Sequence, residues 1–267
     1  MTPGEARTGA EIVREPLFDL SDRVAVVTGA SSGIGRTIAL AFAQAGCAVV
    51  LVARRTALLD DARREIEANG GRAAAFRCDL SDRAAVKECG SRAGDFFGPP
   101  DILVSAAGIN RRRPILEVTE EDWDATLRLN LDAPFFLAQR LAPAMIEKGF
   151  GRIINIASLQ SLRAFPDCAP YGASKGAIAQ LTRAQAEAWS RFGVNANAIA
   201  PGFFGTQLTE SLVRDKARWQ AMAARTFAGR NGELPDLWGT ALFLASRASD
   251  YVTGQTIFVD GGYTSAG

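Results

Sequence analysis

Tyr171 and Lys175 stand four positions apart in a stretch patterned as a helix, so their side chains share one face. A free tyrosine titrates near pH 10, roughly three units too high for a good base at neutral pH, and a fixed ammonium beside it favours the phenolate. With three tyrosines and four lysines in 267 residues, this spacing arises by chance only about 0.05 times. Ser158 falls at the carboxyl end of the preceding predicted strand. There its hydroxyl either donates to a substrate oxygen as charge develops or simply caps a turn. The chain has no histidine, which removes Ser-His-Asp and Cys-His nucleophiles, His-ligated metals and imidazole bases together.

A second group of residues suits a dinucleotide. Thr28-Gly29-Ala30-Ser31-Ser32-Gly33-Ile34-Gly35 lies between a β-branched run and a helical pattern, where main-chain N–H groups and a helix dipole face an anion. Its glycine spacing differs from the common G-x-G-x-x-G, so the cradle reading competes with that of a plain tight turn. Arg54 and Arg55 follow the second predicted strand, where such folds read the ribose 2′ position, and no acid stands there. Arg54 is expected to pair with a 2′-phosphate, which favours NADP(H) over NAD(H); a solvated basic turn is the alternative. Asp79-Leu80, after the third strand, is the candidate for the adenine.

The elements that must position these residues follow from hydrophobic periodicity. Predicted strands at Val24–Thr28, Cys47–Ala53, Ala73–Cys78, Ile102–Ser105, Arg152–Ala157, Asn195–Ala200 and Thr256–Val259 alternate with helical patterns. The helices begin at Gly35, at a Thr56 cap, and over 82–97, much of 120–147, Tyr171–Phe192 and about 234–245. Seven apolar strands with helical crossovers predict an α/β, Rossmann-type doubly wound parallel sheet, with its ligand site at the carboxyl ends of the strands. Residues 1–18 read as a flexible or partner-packed arm and 19–267 as one Rossmann-fold domain, in which 201–233, the longest strandless stretch, is the expected substrate lid.

Composition narrows the partners. Lys plus Arg number 30 against 29 Asp plus Glu, so no net field gathers nucleic acid or an anionic membrane. No apolar run is long enough to span a bilayer, and Cys47, Cys78, Cys89 and Cys168 lack metal or redox spacing. A soluble, cytoplasmic protein without a metal, acting on a small molecule, is expected.

Taken together these motifs resemble the short-chain dehydrogenase/reductase family from about residue 20 to the C-terminus. The resemblance implies that Asn130, Ser158, Tyr171 and Lys175 form the catalytic tetrad. Tyr171 would be the acid/base and Ser158 would hold the substrate oxygen. Lys175 would bind the nicotinamide ribose and lower the tyrosine pKa, and Asn130 would anchor a relay water. It also implies cofactor contacts from Gly29, Ser31, Ser32, Gly33, Ile34, Gly35, Ala106, Ala107, Gly108, Pro201, Gly202 and Thr206. One departure is Ser105, where the family usually has Asn bracing the fourth strand. Gly108 to Pro114, Gly229 to Gly232 and Val252 to Gln255 are similar to sugar-acid dehydrogenases, gluconate 5-dehydrogenases above all. Arg111 or Arg112 would then clamp a substrate carboxylate, with Gln160 a further substrate residue; a solvated basic loop is the bland reading. The rival activities are a 3-oxoacyl-[acyl-carrier-protein] reductase and a dinucleotide sensor without turnover. Trp123, Phe135 and Phe136 are expected in a subunit interface of a homotetramer, or a dimer, with core packing as the alternative.

Overall fold

The computed structural model describes residues 17–266, so the expected arm lies outside the described residues except for Leu17 and Phe18. Seven parallel strands are ordered β3-β2-β1-β4-β5-β6-β7. They are β1 (Val24–Thr28), β2 (Ala48–Ala53), β3 (Arg72–Arg77), β4 (Ile102–Ser105), β5 (Gly151–Ile156), β6 (Val194–Pro201) and β7 (Thr256–Val259). The bounds of β2, β3, β5 and β6 shift from expectation by one residue at one or both ends, and β1, β4 and β7 fall where periodicity places them.

The two-sided burial follows from the alternation of each strand. Val27, Leu51 and Val104 pack on one face with Ile38, Phe42, Leu59 and Leu244. Val26, Val50 and Leu103 pack on the other with Val86, Leu137, Leu141 and Met145. The helices that supply those residues are α1 (Gly33–Gln44), α2 (Thr56–Ala68), α3 (Arg83–Arg92), α5 (Ala133–Lys148) and α9 (Trp238–Ala245). Thr56 proves to be the first helical residue, with Arg55 in the cap position.

Two stretches depart from expectation. The helix over 120–147 is broken: α4 (Glu120–Leu127) passes through a π-helical turn, Arg128–Asp132, before α5 begins. Such a turn rotates the side chains that follow and concentrates at functional positions. Residues 201–233 carry short helices of their own, α7 (Glu210–Arg214) and α8 (Lys216–Ala224), and an isolated bridge joins Phe204 to Gly232. Between β5 and β6 runs α6 (Ala169–Trp189), two residues longer at its start than predicted and ending in a 3-10 turn. All four cysteines are buried and unbridged, and no described helix is long and apolar enough to cross a membrane.

Candidate active site

The order reverses between β1 and β4, and the loops leaving these strands open the crevice where doubly wound sheets bind ligands. Gly29 turns there with φ of +67°, and a Cβ on it would stand 2.9 Å from the main chain of Ala106 and Ala107. A Cβ on Gly35 would lie 2.6 Å from the Gly29 carbonyl oxygen, so α1 can approach the turn only with glycine at that place. Ser32 caps α1 without a side-chain hydrogen bond, which leaves the first-turn N–H groups facing the cleft. This is a fitting cradle for a dinucleotide pyrophosphate.

Thr28 fixes the opposite wall. Its Oγ1 accepts from the N–H groups of Ala106 and Ala107, at 3.0 and 3.1 Å, and donates to the Val104 carbonyl at 3.2 Å. Ser105, where the resemblance leads one to expect asparagine, keeps its hydroxyl buried without a partner.

Of the two arginines after β2, Arg54 reaches only Asp79, at 3.8 Å, and is 61% exposed. Arg55 lies across the turn, donating to Ser31 Oγ (2.9 Å), Ser32 Oγ (2.7 Å) and Gln207 Oε1 (2.6 Å). Both line the cleft with Asp79 and Leu80. The sequence named both arginines and assigned the phosphate contact to Arg54; the structure adds that Arg55 is the one tied to the serine pair of the glycine turn. Asp79 is also held by Ser81, whose N–H and hydroxyl both donate to its Oδ1, and its carboxyl sits below the usual range.

Tyr171 and Lys175 lie on the first turns of α6, both buried, with Nζ 5.6 Å from the phenol ring centroid. Lys175 Nζ donates to the Ile156 carbonyl at 2.6 Å, at the end of β5. Ser158 caps the turn after β5, its Oγ accepting from the Gln160 N–H at 3.2 Å, and its hydroxyl is close enough to the Tyr171 phenol to bear on its pKa. Burial, more than any neighbour, governs the phenol and pushes its pKa up; the Ser158 hydroxyl pulls it down, nearby Cys168 pushes it up, and Arg112 pulls it down. The expected lowering by Lys175 is not among these influences, and its ammonium is turned to the Ile156 carbonyl. Burial pushes Lys175 down to about 8.

Asn130 occupies the π-helical turn and does not line the cleft. Its Oδ1 accepts from the Ile109 N–H at 2.9 Å, and its Nδ2 donates to the Ile109 carbonyl (2.9 Å) and Ser174 Oγ (3.1 Å). The side chain thus holds the loop after β4 against α6.

The cleft has a volume of about 850 Å³ and contains all the other expected cofactor residues, including Gly33, Ile34, Gly108, Pro201, Gly202 and Thr206, together with Ser158 and Gln160. Three neighbouring arginines separate at its substrate end. Arg111 does not line it, because its guanidinium is drawn 3.2 Å from both Glu121 and Asp122, which corrects its expected substrate contact. Arg113 pairs with Asp122 at 2.6 Å. Arg112 alone of the three lines the cleft and has no carboxylate partner among the described residues. Among the lining residues that escaped sequence reasoning are Arg218, Met222 and Arg225. Their i, i+4, i+7 spacing puts them on one face of α8, a pattern legible only once that helix is known.

A seven-stranded doubly wound sheet with a Tyr-x-x-x-Lys pair and a serine at the switch-point cleft defines a class. The chain belongs to the short-chain dehydrogenase/reductase family of oxidoreductases. A family model described as enoyl-(acyl carrier protein) reductase matches residues 29–264. The gluconate 5-dehydrogenase of Gluconobacter oxydans is 45% identical over 93% of this chain and 97% of its own. The 2-dehydro-3-deoxy-D-gluconate 5-dehydrogenase of Escherichia coli is 41% identical over 92% and 97%. A crystal structure of a gluconate 5-dehydrogenase from Burkholderia cenocepacia, in complex with NADP and tartrate, superposes with a TM-score of 0.90 at 44% identity, covering 94% of this chain and 98% of that one.

Proposed function

We propose that this enzyme transfers a hydride between NADP(H) and the secondary alcohol or ketone of a sugar acid, such as gluconate and 5-ketogluconate. The observation that carries the reading is Arg112, an uncommitted cation in the cleft whose charge bears on the Tyr171 phenol. A sugar acid offers both the carboxylate and the carbinol such a site can use. The relatives named for gluconate and its 5-keto form support it.

The α1 N-terminus and the Gly29 turn would hold the pyrophosphate, and Arg55 with Arg54 a 2′-phosphate, in keeping with the relatives crystallised with NADP. NAD(H) lacks the phosphate those guanidiniums suit. Bound there, the nicotinamide supplies or accepts the hydride. In the reductive direction Tyr171 gives its phenolic proton to the substrate oxygen, which Ser158 steadies through its hydroxyl. Lys175 would hold the ribose, and its ammonium near the ring offsets the charge left on the phenolate. Asn130 keeps the Gly108–Ile109 loop in place. The 201–233 segment acts as the substrate lid. Exposed Trp123 and Phe135 on α4 and α5 support a homo-oligomer, of which a tetramer is the form proposed, working in the cytoplasm.

The test follows reduced nicotinamide absorbance while the protein is offered gluconate, 5-ketogluconate and an acetoacetyl thioester, each with NADP(H) and NAD(H). Turnover of the sugar acids, lost in Tyr171→Phe while NADPH binding persists, is the expected result. Preference for the thioester would move the protein to the acyl reductases, of which one solved with NADP bound is 33% identical with a TM-score of 0.88. Activity undiminished in Tyr171→Phe would overturn the acid/base assignment.

A further inference from the structure

We infer that Arg225, at the C-cap of α8 and seated over Tyr263, is a second grip on the substrate carboxylate, sharing the cleft with Arg112. The inference rests on the sugar-acid reading and adds to it the residue that selects acids over neutral sugars.

Arg225 holds its guanidinium carbon 4.7 Å from the Tyr263 ring centroid. That ring is almost wholly buried and wedged between two aromatic residues, Phe203 at 5.2 Å and Phe165 at 6.3 Å, both of which line the cleft. A guanidinium over an aromatic face is oriented without spending its N–H groups, and it gains about 0.5–2 kcal/mol from the ring. No carboxylate pairs with Arg225 among the described residues, in a chain where Arg36, Arg63, Arg92, Arg152 and Arg230 are all paired. An arginine oriented by an aromatic seat, lining the cleft and left with its donors unspent is arranged to receive an anion from within.

The substrate's own dimensions require a grip apart from the reacting end. Arg112 and Arg225 both line the cleft, and the charge of Arg112 also lowers the pKa of the Tyr171 phenol. In an aldonate reacting at C5 the carboxyl carbon is four bonds away, about 5 Å in an extended chain. The α8 face answers that need with Arg225, apolar Met222 and Arg218 in sequence along it. None of the residues of α8 is buried, so little packing opposes its movement toward a bound anion.

The experiment compares 5-ketogluconate with L-sorbose, the same ketose skeleton with hydroxymethyl in place of carboxylate, in wild type, Arg225→Gln and Arg225→Lys. A carboxylate remote from the reacting carbon is bound alike in the ground and transition states, so its loss raises KM rather than lowering kcat. Loss of a charge-assisted contact predicts a KM for 5-ketogluconate about 10- to 100-fold higher in Arg225→Gln, with partial recovery in Arg225→Lys. L-Sorbose should lose less than about threefold, and NADPH affinity by fluorescence should move as little. Equal losses on both ketoses, an unchanged KM, or a weakened NADPH complex would each overturn the inference, the last by giving Arg225 to the cofactor. A wild type that does not prefer the acid over L-sorbose would instead remove the sugar-acid reading itself.

Discussion

Replacing Arg55 by alanine should cost NADPH binding far more than NADH binding. In the folded chain its guanidinium is held by three neutral oxygens, on Ser31, Ser32 and Gln207, all within 2.9 Å. Against a 2′-phosphate the same group would form charge-assisted hydrogen bonds, each contributing about 1.5–3 kcal/mol, or about 10- to 150-fold in affinity. NADH offers no such acceptor and loses only the ordering of an exposed turn, about 0.5–1 kcal/mol and so less than tenfold. Arg54→Ala should fall between, because that side chain is 61% exposed and its one ionic contact, to Asp79, is 3.8 Å long. Titrating the fluorescence of each reduced cofactor at low and high salt measures both affinities, and the NADPH loss should shrink as salt screens the phosphate. Equal weakening of the two cofactors by Arg55→Ala would refute the reasoning, and a larger selective loss in Arg54→Ala would return the phosphate to that residue.

Two further outcomes follow from buried groups. Lys175 is pushed down to about 8 from an ordinary 10.5, so below pH 8 the folded chain carries the full cost of a buried ammonium. Between about pH 8 and 10.5 the unfolded chain holds more protons than the folded one, and stability from this group rises with pH by up to about 3 kcal/mol. Thermal midpoints at pH 7 and 9.5 should therefore diverge less in Lys175→Met than in wild type; equal differences would show that the ammonium is not desolvated. Asn130→Ala strips the Ile109 N–H and carbonyl of their partners, costing about 1–3 kcal/mol and several degrees of midpoint, with kcat falling as the loop loosens. An unchanged midpoint in differential scanning fluorimetry would deny Asn130 its bracing role.

The parts legible in the sequence are those that local rules decide. β1, the Gly29 turn and α1 follow from periodicity and from glycines that admit no Cβ, and Tyr171 meets Ser158 because a helix spacing and a strand end suffice to place them. Choices between adjacent residues were not legible. Whether Arg54 or Arg55 crosses the turn, and whether Arg111 or Arg112 enters the cleft, depends on which way the chain leaves a strand and on where Asp79, Glu121 and Asp122 wait with opposite charge. The π-helical turn was hidden because residues 120–147 read as one continuous amphipathic pattern, and a single inserted residue hardly disturbs that pattern. The cation-bearing face of α8 could not be read while 201–233 was treated as irregular.

The bridge between Phe204 and Gly232 ties both feet of the strandless segment to one point, helped by the Gly232 N–H donating to the Phe203 carbonyl at 2.9 Å. Closing a long loop costs entropy that grows only slowly with its length, so once the feet are pinned, residues can be gained, lost or replaced between them at small cost to the sheet. The segment is in effect a cassette plugged into a two-pin socket. Substrate range within such a scaffold can diversify by exchange of whole cassettes, while the chemistry on β5 and α6 stays untouched.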